Sequence, residues 1–183
     1  MRLFWENGYH VTSMDDLVKA TGVARGGIYS DFGGKAELFR ASLDHYREEI
    51  AAPAIAILYS EQAGLEAIEA YFQHFIAMHK KRGMPGPGCF IANSMTEVGP
   101  HEAVVQAMVN AHSEELRAAF LIALERAKGV SKTGISHPNF DELAQFLVTS
   151  SQGLWSYARS TTDFSLLESY VRILMDLLRA RLA

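Results

Sequence analysis

The residues best suited to chemistry lie in one short stretch, GVARGGIYSDFGGK at positions 22–35. Arg25 and Ser30 supply hydrogen-bond donors, which bind the acceptor groups of phosphates and of base edges in nucleic acids. Gly26 and Gly27 interrupt this stretch, although each glycine inside a helix costs about 1 kcal/mol relative to alanine. Omitting two side chains lets a backbone approach another surface closely, for example in a DNA groove. The alternative interpretation is a plain flexible loop.

Two short predicted helices position these residues. The first follows Thr12 and Ser13, which are good N-caps, and it carries acidic residues in its first turn. Gly22 ends it, and the second helix is predicted over residues 24–30. Two helices joined by a short glycine-containing turn are typical of a helix-turn-helix, whose second helix enters the major groove. The residues predicted to anchor that helix are Ile28, Tyr29 and Phe32.

Charge and motif content weigh against several other classes. The formal net charge of −4 gives no indication of a nucleic-acid binder. The sequence has no GxSxG, HExxH or phosphate-loop motif and no metal-binding spacing of histidines, so we expect neither an enzyme nor a bound cofactor or metal. The single cysteine and the short apolar runs predict a cytoplasmic protein without a membrane segment.

The run FWENGYHVTSMDDLVKATGVARGGIYSDFGGKAELF, residues 4–39, resembles the DNA-binding region of the TetR family of transcriptional regulators. The rest of the chain fits that family by its length and helical pattern. The resemblance implies a regulator, usually a repressor, that binds a palindromic operator as a homodimer and releases it when a small molecule enters the C-terminal domain. The matching positions are Phe4, Gly8, Tyr9, Thr12, Ser13, Asp15 to Leu17, Ala20, Gly22, Val23, Gly27, Tyr29, Phe32, Lys35 and Leu38.

The resemblance also implies which residues meet double-stranded DNA. Thr12 and Ser13 would approach phosphates at the start of the second helix, and Lys35 would pair with a phosphate at the start of the fourth. Tyr29 would touch a phosphate or a sugar. The residues expected to face base edges or backbone are Arg25, Gly26, Gly27 and Ser30.

Two departures from the family pattern bear on DNA binding. The family usually has further residues before the position of Phe4, so we expect a short first helix and a loss of phosphate contacts. Asp31 places a negative charge at the end of the predicted recognition helix, where it would repel phosphate. We expect its side chain to point away from the DNA.

Apolar spacing of three and four residues throughout predicts an all-α protein. We expect a three-helix helix-turn-helix domain at residues 1–46, with a first helix truncated at its start. A larger helical domain for ligand binding and dimerisation would occupy residues 47–183. A helix from Lys35 to about Tyr59, with a kink near Pro53, would link the two.

The helices of the larger domain carry aromatic and polar residues that would suit a pocket for a small apolar or aromatic effector. The same residues would also make an ordinary core. Cys89 precedes a short predicted helix, where a thiolate would be stabilised, so a redox sensor is a further hypothesis; a buried, unreactive thiol is the commoner case. The candidate pocket residues are Phe72, Phe75, His79, Phe90, Asn93, Met108, His112, Phe120 and Trp155.

The last two predicted helices carry more apolar residues than one packing partner would cover, which favours a homodimer. A ligand would then shift the population of dimers away from the spacing that suits an operator, with the fourth helix as the lever. The alternative is a helical small-molecule-binding or interaction protein that does not bind DNA. The residues expected at the dimer interface are Phe146, Leu154, Leu167, Tyr170, Leu174 and Leu178.

Overall fold

Apolar periodicity, glycine stops and caps produce ten α-helices in the part of the chain that the structure describes. The computed structural model describes residues 1–60, 64–83, 85–127 and 139–182, and no strand occurs among them. The all-α prediction is confirmed. The helices are α1 Arg2–Asn7, α2 Met14–Thr21, α3 Arg25–Phe32, α4 Lys35–Tyr46, α5 Ala52–Ala56, α6 Leu65–Arg82, α7 Phe90–Glu97, α8 Ala103–Ala127, α9 Phe140–Tyr157 and α10 Phe164–Leu182.

Helix α2 begins and ends through local chemistry. The Ser13 hydroxyl accepts a hydrogen bond from the backbone N–H of Asp16, and the Asp16 carboxylate accepts one from the Ser13 N–H, which completes a capping box. At the other end Gly22 adopts φ 72°, and its N–H donates to the carbonyl of Val18 at 2.9 Å. This left-handed conformation suits glycine, and it fixes the turn that leads into α3.

Helical structure continues from Lys35 to Tyr59, but it departs from a regular α-helix both before and after the kink predicted near Pro53. A π-helical turn occupies Arg47–Ala51 between α4 and α5, and a 3-10 turn occupies Ile57–Tyr59 after α5. Pro53 has no N–H to donate and its ring crowds the carbonyl four residues earlier, at Glu49. The regular ladder is therefore interrupted one turn ahead of the proline.

The first compact unit combines two separate stretches, residues 1–51 and 89–112. Its core is aromatic, because the ring of Phe90 from α7 packs edge-on against Phe39 and Tyr46 of α4, with centroid separations of 5.5 and 5.8 Å. Phe4 and Trp5 of α1 pack against the same two α4 rings. The unit therefore differs from the expected domain at residues 1–46, since α7 supplies part of its core.

The second compact unit comprises residues 52–88 and the chain from Ser113 onward. Helices α6 and α10 pack along each other in this unit, and the Arg179 guanidinium donates to the Glu69 carboxylate across them at 2.7 Å. Arg117 of α8 likewise donates to Asp141 of α9 at 2.8 Å. Within the described residues, none of the helices has both the length and the apolar composition needed to cross a membrane.

Candidate functional site

Helix α3 exposes a polar surface on one side and buries Ile28 on the other. Ile28 is its buried residue, whereas Arg25, Gly26 and Ser30 are exposed. Tyr29 is 53% exposed, which leaves its hydroxyl available to a partner. Phe32 anchors the helix less than predicted, because its side chain is 43% exposed. Ile28 is the residue of α3 that is buried in the core.

The two neighbouring glycines of α3 differ in what a side chain would meet. A Cβ at Gly27 would lie 2.9 Å from Cγ1 of Val23, so a side chain here would crowd the residue in the turn that precedes the helix. At Gly26 a Cβ would meet nothing within 4 Å. Close approach to an external surface therefore remains an explanation for both glycines, and crowding with Val23 is an additional one for Gly27.

The two residues before α2 do not share the same exposure. Thr12 is only 2% exposed, and its hydroxyl donates to the carbonyl of Gly8 at 2.6 Å. The Thr12 hydroxyl is therefore buried and closes the loop after α1, whereas the expected approach of Thr12 to a phosphate stays a prediction. Ser13 is exposed, and its hydroxyl caps α2.

Lys35 is the first residue of α4 and follows the end of α3 closely in the chain. Its ammonium lies 4.4 Å from the centroid of the Tyr9 ring, a cation–π distance that restrains the long side chain. Gly33 and Gly34 separate α3 from α4 with φ of 90° and 144°, so the chain turns sharply just before this lysine. A restrained positive charge therefore lies at the start of α4, two glycines after the end of α3.

A carboxylate from α7 holds the loop between α1 and α2, which sequence reasoning missed. Oε1 of Glu97 accepts the backbone N–H of His10 at 2.8 Å. A Cβ at Gly8 would lie 2.7 Å from Oε2 of the same residue, and Gly8 has φ 90°. No local pattern could reveal this contact, because 87 residues separate its two partners.

The nine candidate pocket residues are divided between the two units. Phe90, Asn93, Met108 and His112 belong to the first unit, and Phe90 is a core residue there. The other five are buried in the second unit. The prediction that all nine line one pocket remains a prediction. The five residues of the second unit are Phe72, Phe75, His79, Phe120 and Trp155.

His79 and Trp155 form a buried polar pair among these rings. The two rings stack at a centroid distance of 5.9 Å and an interplanar angle of 11°. Nδ1 of His79 lies 2.9 Å from the carbonyl of Phe75, while Nε2 of His79 and Nε1 of Trp155 have no hydrogen-bond partner among the described residues. Burial lowers the pKa of His79, so the ring is neutral at pH 7. With Nδ1 donating, Nε2 is an acceptor and the indole N–H is a donor.

Gly86 is required by the position of His79. A Cβ at residue 86 would lie 2.3 Å from Cδ2 of that ring, so the backbone of the loop before α7 covers the histidine directly. Gly88 has φ 68°, and a Cβ there would lie 2.7 Å from the carbonyl oxygen of Trp155. The backbone at Gly86 and Gly88 therefore packs against both members of the buried polar pair.

His112 is buried in the first unit, and its Nδ1 has no hydrogen-bond partner among the described residues. Burial, together with the charge of Arg47, lowers its pKa from 6.5 to about 4. As the pH falls through this interval the unfolded chain binds a proton that the folded chain does not. The free energy of unfolding should therefore drop by about 3 kcal/mol between pH 7 and pH 4 from this residue.

The pH prediction is tested by urea unfolding of the wild type and of a His112→Gln variant at several pH values. The variant is expected to lose this part of the pH dependence, whatever its stability at pH 7. Parallel curves for the two proteins would contradict the assignment to His112.

Cys89 does not have the properties of a redox sensor. Its side chain is buried, and burial raises the pKa of the thiol, which outweighs the opposing hydrogen bonds from Ala92, Tyr46 and Ile91. A reactive cysteine needs a lowered pKa and access to solvent. The structure therefore contradicts the sensor hypothesis and leaves Cys89 as the N-cap residue of α7.

The residues expected at a dimer interface fall into two groups. Phe146 and Tyr170 are exposed, whereas the four leucines are buried within the chain and have almost no surface to offer a partner. These leucines pack inside the second unit because they lie on the inner faces of α9 and α10. The buried residues are Leu154, Leu167, Leu174 and Leu178.

Exposed apolar residues instead follow the outer faces of the same two helices. On α10 they recur at spacings of four, three and four, which places them on one face. Between the helices lies a groove of about 420 Å³ lined by Thr149 and Gly153 among other residues. The exposed apolar residues are Phe146, Tyr157, Leu166, Tyr170, Ile173 and Leu177.

Within the described ranges, no three aspartate, glutamate, histidine or cysteine side chains lie close enough together to hold a metal ion.

Comparison with known proteins identifies the family. Residues 1–42 match the model for bacterial regulatory proteins of the tetR family, and residues 64–174 match that for the tetracyclin repressor-like C-terminal domain. The HTH-type transcriptional repressor ComR of Escherichia coli K12 is 33% identical over 87% of this chain and 75% of its own length. The uncharacterized HTH-type regulator YezE of Bacillus subtilis is 29% identical over 97% of this chain and 91% of its own.

Solved structures share the fold. The structure of a TetR regulator from Chloroflexus aurantiacus matches with a TM-score of 0.82 and 24% identity, covering 97% of this chain and 88% of that one. A cysteine-substituted form of the TetR-family regulator CifR, complexed with 26-base-pair operator DNA, matches with a TM-score of 0.81 and 22% identity, covering 95% and 90%. The chain therefore belongs to the TetR family of bacterial transcriptional regulators.

Proposed function

We propose that this regulator is a repressor that binds a palindromic operator as a homodimer and is released by a small neutral molecule bound in its second unit. The observation that carries the DNA contact is the exposed face of α3, where Arg25, Gly26 and Ser30 project away from buried Ile28. Arg25 offers a guanidinium that fits the O6 and N7 acceptors of guanine. Tyr29 and Lys35 flank that face and suit phosphates.

The homodimer is supported by the exposed apolar faces of α9 and α10. Ile173 and Leu177 are more than half exposed, although α10 is otherwise well packed in its unit. Exposed apolar residues that adjoin one another on one helix face mark an interaction surface. A second copy is the occupant that a palindromic operator requires, because a two-fold axis presents the recognition helices to successive major grooves, about 34–36 Å apart.

The effector proposal rests on the buried polar pair of His79 and Trp155. Both are at most 2% exposed, and each leaves one ring nitrogen without a partner among the described residues. Buried polar groups are stable only when they are hydrogen-bonded, so a ligand group that both donates and accepts, such as a hydroxyl or an amide, would satisfy them. The neighbouring rings of Phe72 and Phe75 favour an apolar or aromatic body. The neutral imidazole disfavours an anion.

Release would occur through a population shift. A ligand changes the balance between two dimer arrangements only by its differential affinity for them. The helical stretch from Lys35 to Tyr59 contains no loop, so a change at its end would reach Lys35 through continuous backbone. The π-helical turn at Arg47–Ala51 interrupts the regular helix within this stretch, and the backbone would bend there when the dimer arrangement changes.

Removing the Lys35 charge is expected to weaken binding to operator and random duplexes equally, because a phosphate contact carries no sequence information. The slope of log K against log salt should fall by about one. Mobility-shift titrations of Lys35→Ala on the DNA upstream of its own gene, at several salt concentrations, measure both quantities. Lys81→Ala is the matched control, since it removes one exposed charge from the second unit.

An unchanged salt slope in Lys35→Ala would contradict the phosphate contact. Failure of the wild type to bind any duplex at low salt would instead favour the alternative of a helical ligand-binding protein.

A further inference from the structure

The carboxylate of Asp15 has a partner that the capping of α2 does not require. Asp16, its neighbour, completes the capping box with Ser13. Asp15 instead accepts a hydrogen bond from Nη2 of Arg25 at 2.7 Å, which connects the first turn of α2 to the first residue of α3. This ion pair therefore joins the two helices of the helix-turn-helix at their exposed ends.

The ion pair has no evident role in stability. The side chains of Arg25 and Asp15 are 56% and 85% exposed, and exposed ion pairs contribute little to folding because solvent screens them. Leu17 and Ile28 already supply buried apolar residues to α2 and α3. The consequence of the contact is therefore the orientation that Asp15 gives to the Arg25 guanidinium.

A guanidinium has five N–H donors in a planar fork, and the contact with Asp15 occupies one nitrogen, Nη2. The remaining donors stay free for a bidentate contact with a guanine, while the carboxylate restrains the plane of the fork. A guanidinium that swings toward a phosphate must leave this carboxylate. The carboxylate would also repel any phosphate that came close to it.

From this geometry we infer that Asp15 is a specificity-determining residue of the DNA-binding surface. It holds Arg25 in the orientation for a base edge and disfavours the phosphate contact that Arg25 would make on random DNA. The inference rests on the proposed placement of α3 in the major groove. It assigns to Asp15 a positioning role, exerted through Arg25.

Asp31 provides a matched control in the same unit. It is exposed near the end of α3 and has no hydrogen-bond or ion-pair partner among the described residues. Asp31→Asn and Asp15→Asn remove the same charge, but only the second removes the partner of Arg25. A pure charge effect would strengthen binding to operator and random DNA alike in both variants.

The experiment begins with selection of the preferred sequence by the wild-type protein from a pool of random duplexes. The affinities of all variants for that sequence and for a scrambled duplex are then measured at one salt concentration. Asp15→Asn is expected to strengthen binding to scrambled DNA and to lower the ratio of the two affinities by about three- to tenfold, since a bidentate contact discriminates by roughly that much or more. Asp31→Asn is expected to leave the ratio unchanged.

A double variant shows whether the effect passes through Arg25. In an Arg25→Ala background, Asp15→Asn should no longer change the ratio. Equal ratios for the wild type and Asp15→Asn, or a persisting effect without Arg25, would overturn the inference while leaving the proposed function intact. If selection enriches no sequence, the proposed function and the inference both fail.

Discussion

Replacing Ile173 with glutamate is expected to convert the protein to a monomer and to weaken operator binding by roughly 100-fold or more. Ile173 is 52% exposed on the outer face of α10, so the charge meets water in a single chain. In a dimer the same carboxylate would be buried without a partner, which costs several kcal/mol. The loss on DNA follows because each half-site would then be bound separately, without the effective concentration that a dimer supplies.

Analytical ultracentrifugation gives the oligomeric state, and mobility shift gives the affinity. Val104→Glu is the matched control, because Val104 is also 52% exposed but lies on α8 in the first unit. It should leave the protein dimeric. A dimeric Ile173→Glu protein would contradict the assignment of this face.

Truncating Phe90 to alanine is expected to lower the free energy of unfolding by about 3–5 kcal/mol. The ring is 1% exposed and contacts two α4 rings edge-on, so its removal leaves a cavity between α4 and α7. The same change would also loosen the support of α4. Urea unfolding followed by circular dichroism measures the loss.

Phe32→Ala provides the comparison for Phe90→Ala, since it removes the same ring from a site that is 43% exposed. That variant should lose much less stability. A Phe90→Ala protein as stable as Phe32→Ala would show that Phe90 is not a core residue and would restore it as a candidate for ligand contact.

The sequence predicted the local parts of the DNA-binding unit well, because each depends on neighbouring residues. The N-cap at Ser13 and the end of α2 at Gly22 depend on only a few positions each, and both occur in the structure. The exposure of Arg25 likewise follows from its position relative to Ile28 on one short helix.

Non-local packing accounts for the differences. Thr12 is buried because its hydroxyl meets a carbonyl at the end of α1, and no capping rule anticipates that choice. Leu167 and Ile173 lie in the same helix with equal hydrophobicity, yet one is buried and the other is half exposed. Periodicity identifies an apolar residue, whereas the partner that covers it is determined by the tertiary structure.

The role of Phe90 shows the same limit. An aromatic residue in a short apolar helix is compatible with a pocket or with a core, and only the position of α4 decides between them. Two ring nitrogens, Nε2 of His79 and Nε1 of Trp155, lack a partner in the part of the chain that the structure describes. This could not be predicted from sequence, because whether a hydrogen bond is satisfied depends on the surrounding structure.

The first unit is built from two separate stretches of chain, which limits how its DNA-binding part could be joined to the effector domain of another regulator. Phe39 and Tyr46 are covered by a ring from α7, and the loop after α1 is held by Glu97 from the same helix. A chimera that took only the first 51 residues would carry the DNA-reading helix but would leave those rings in water and that loop without its carboxylate. Transfer of DNA recognition to another effector domain would therefore have to include residues 89–112 as well.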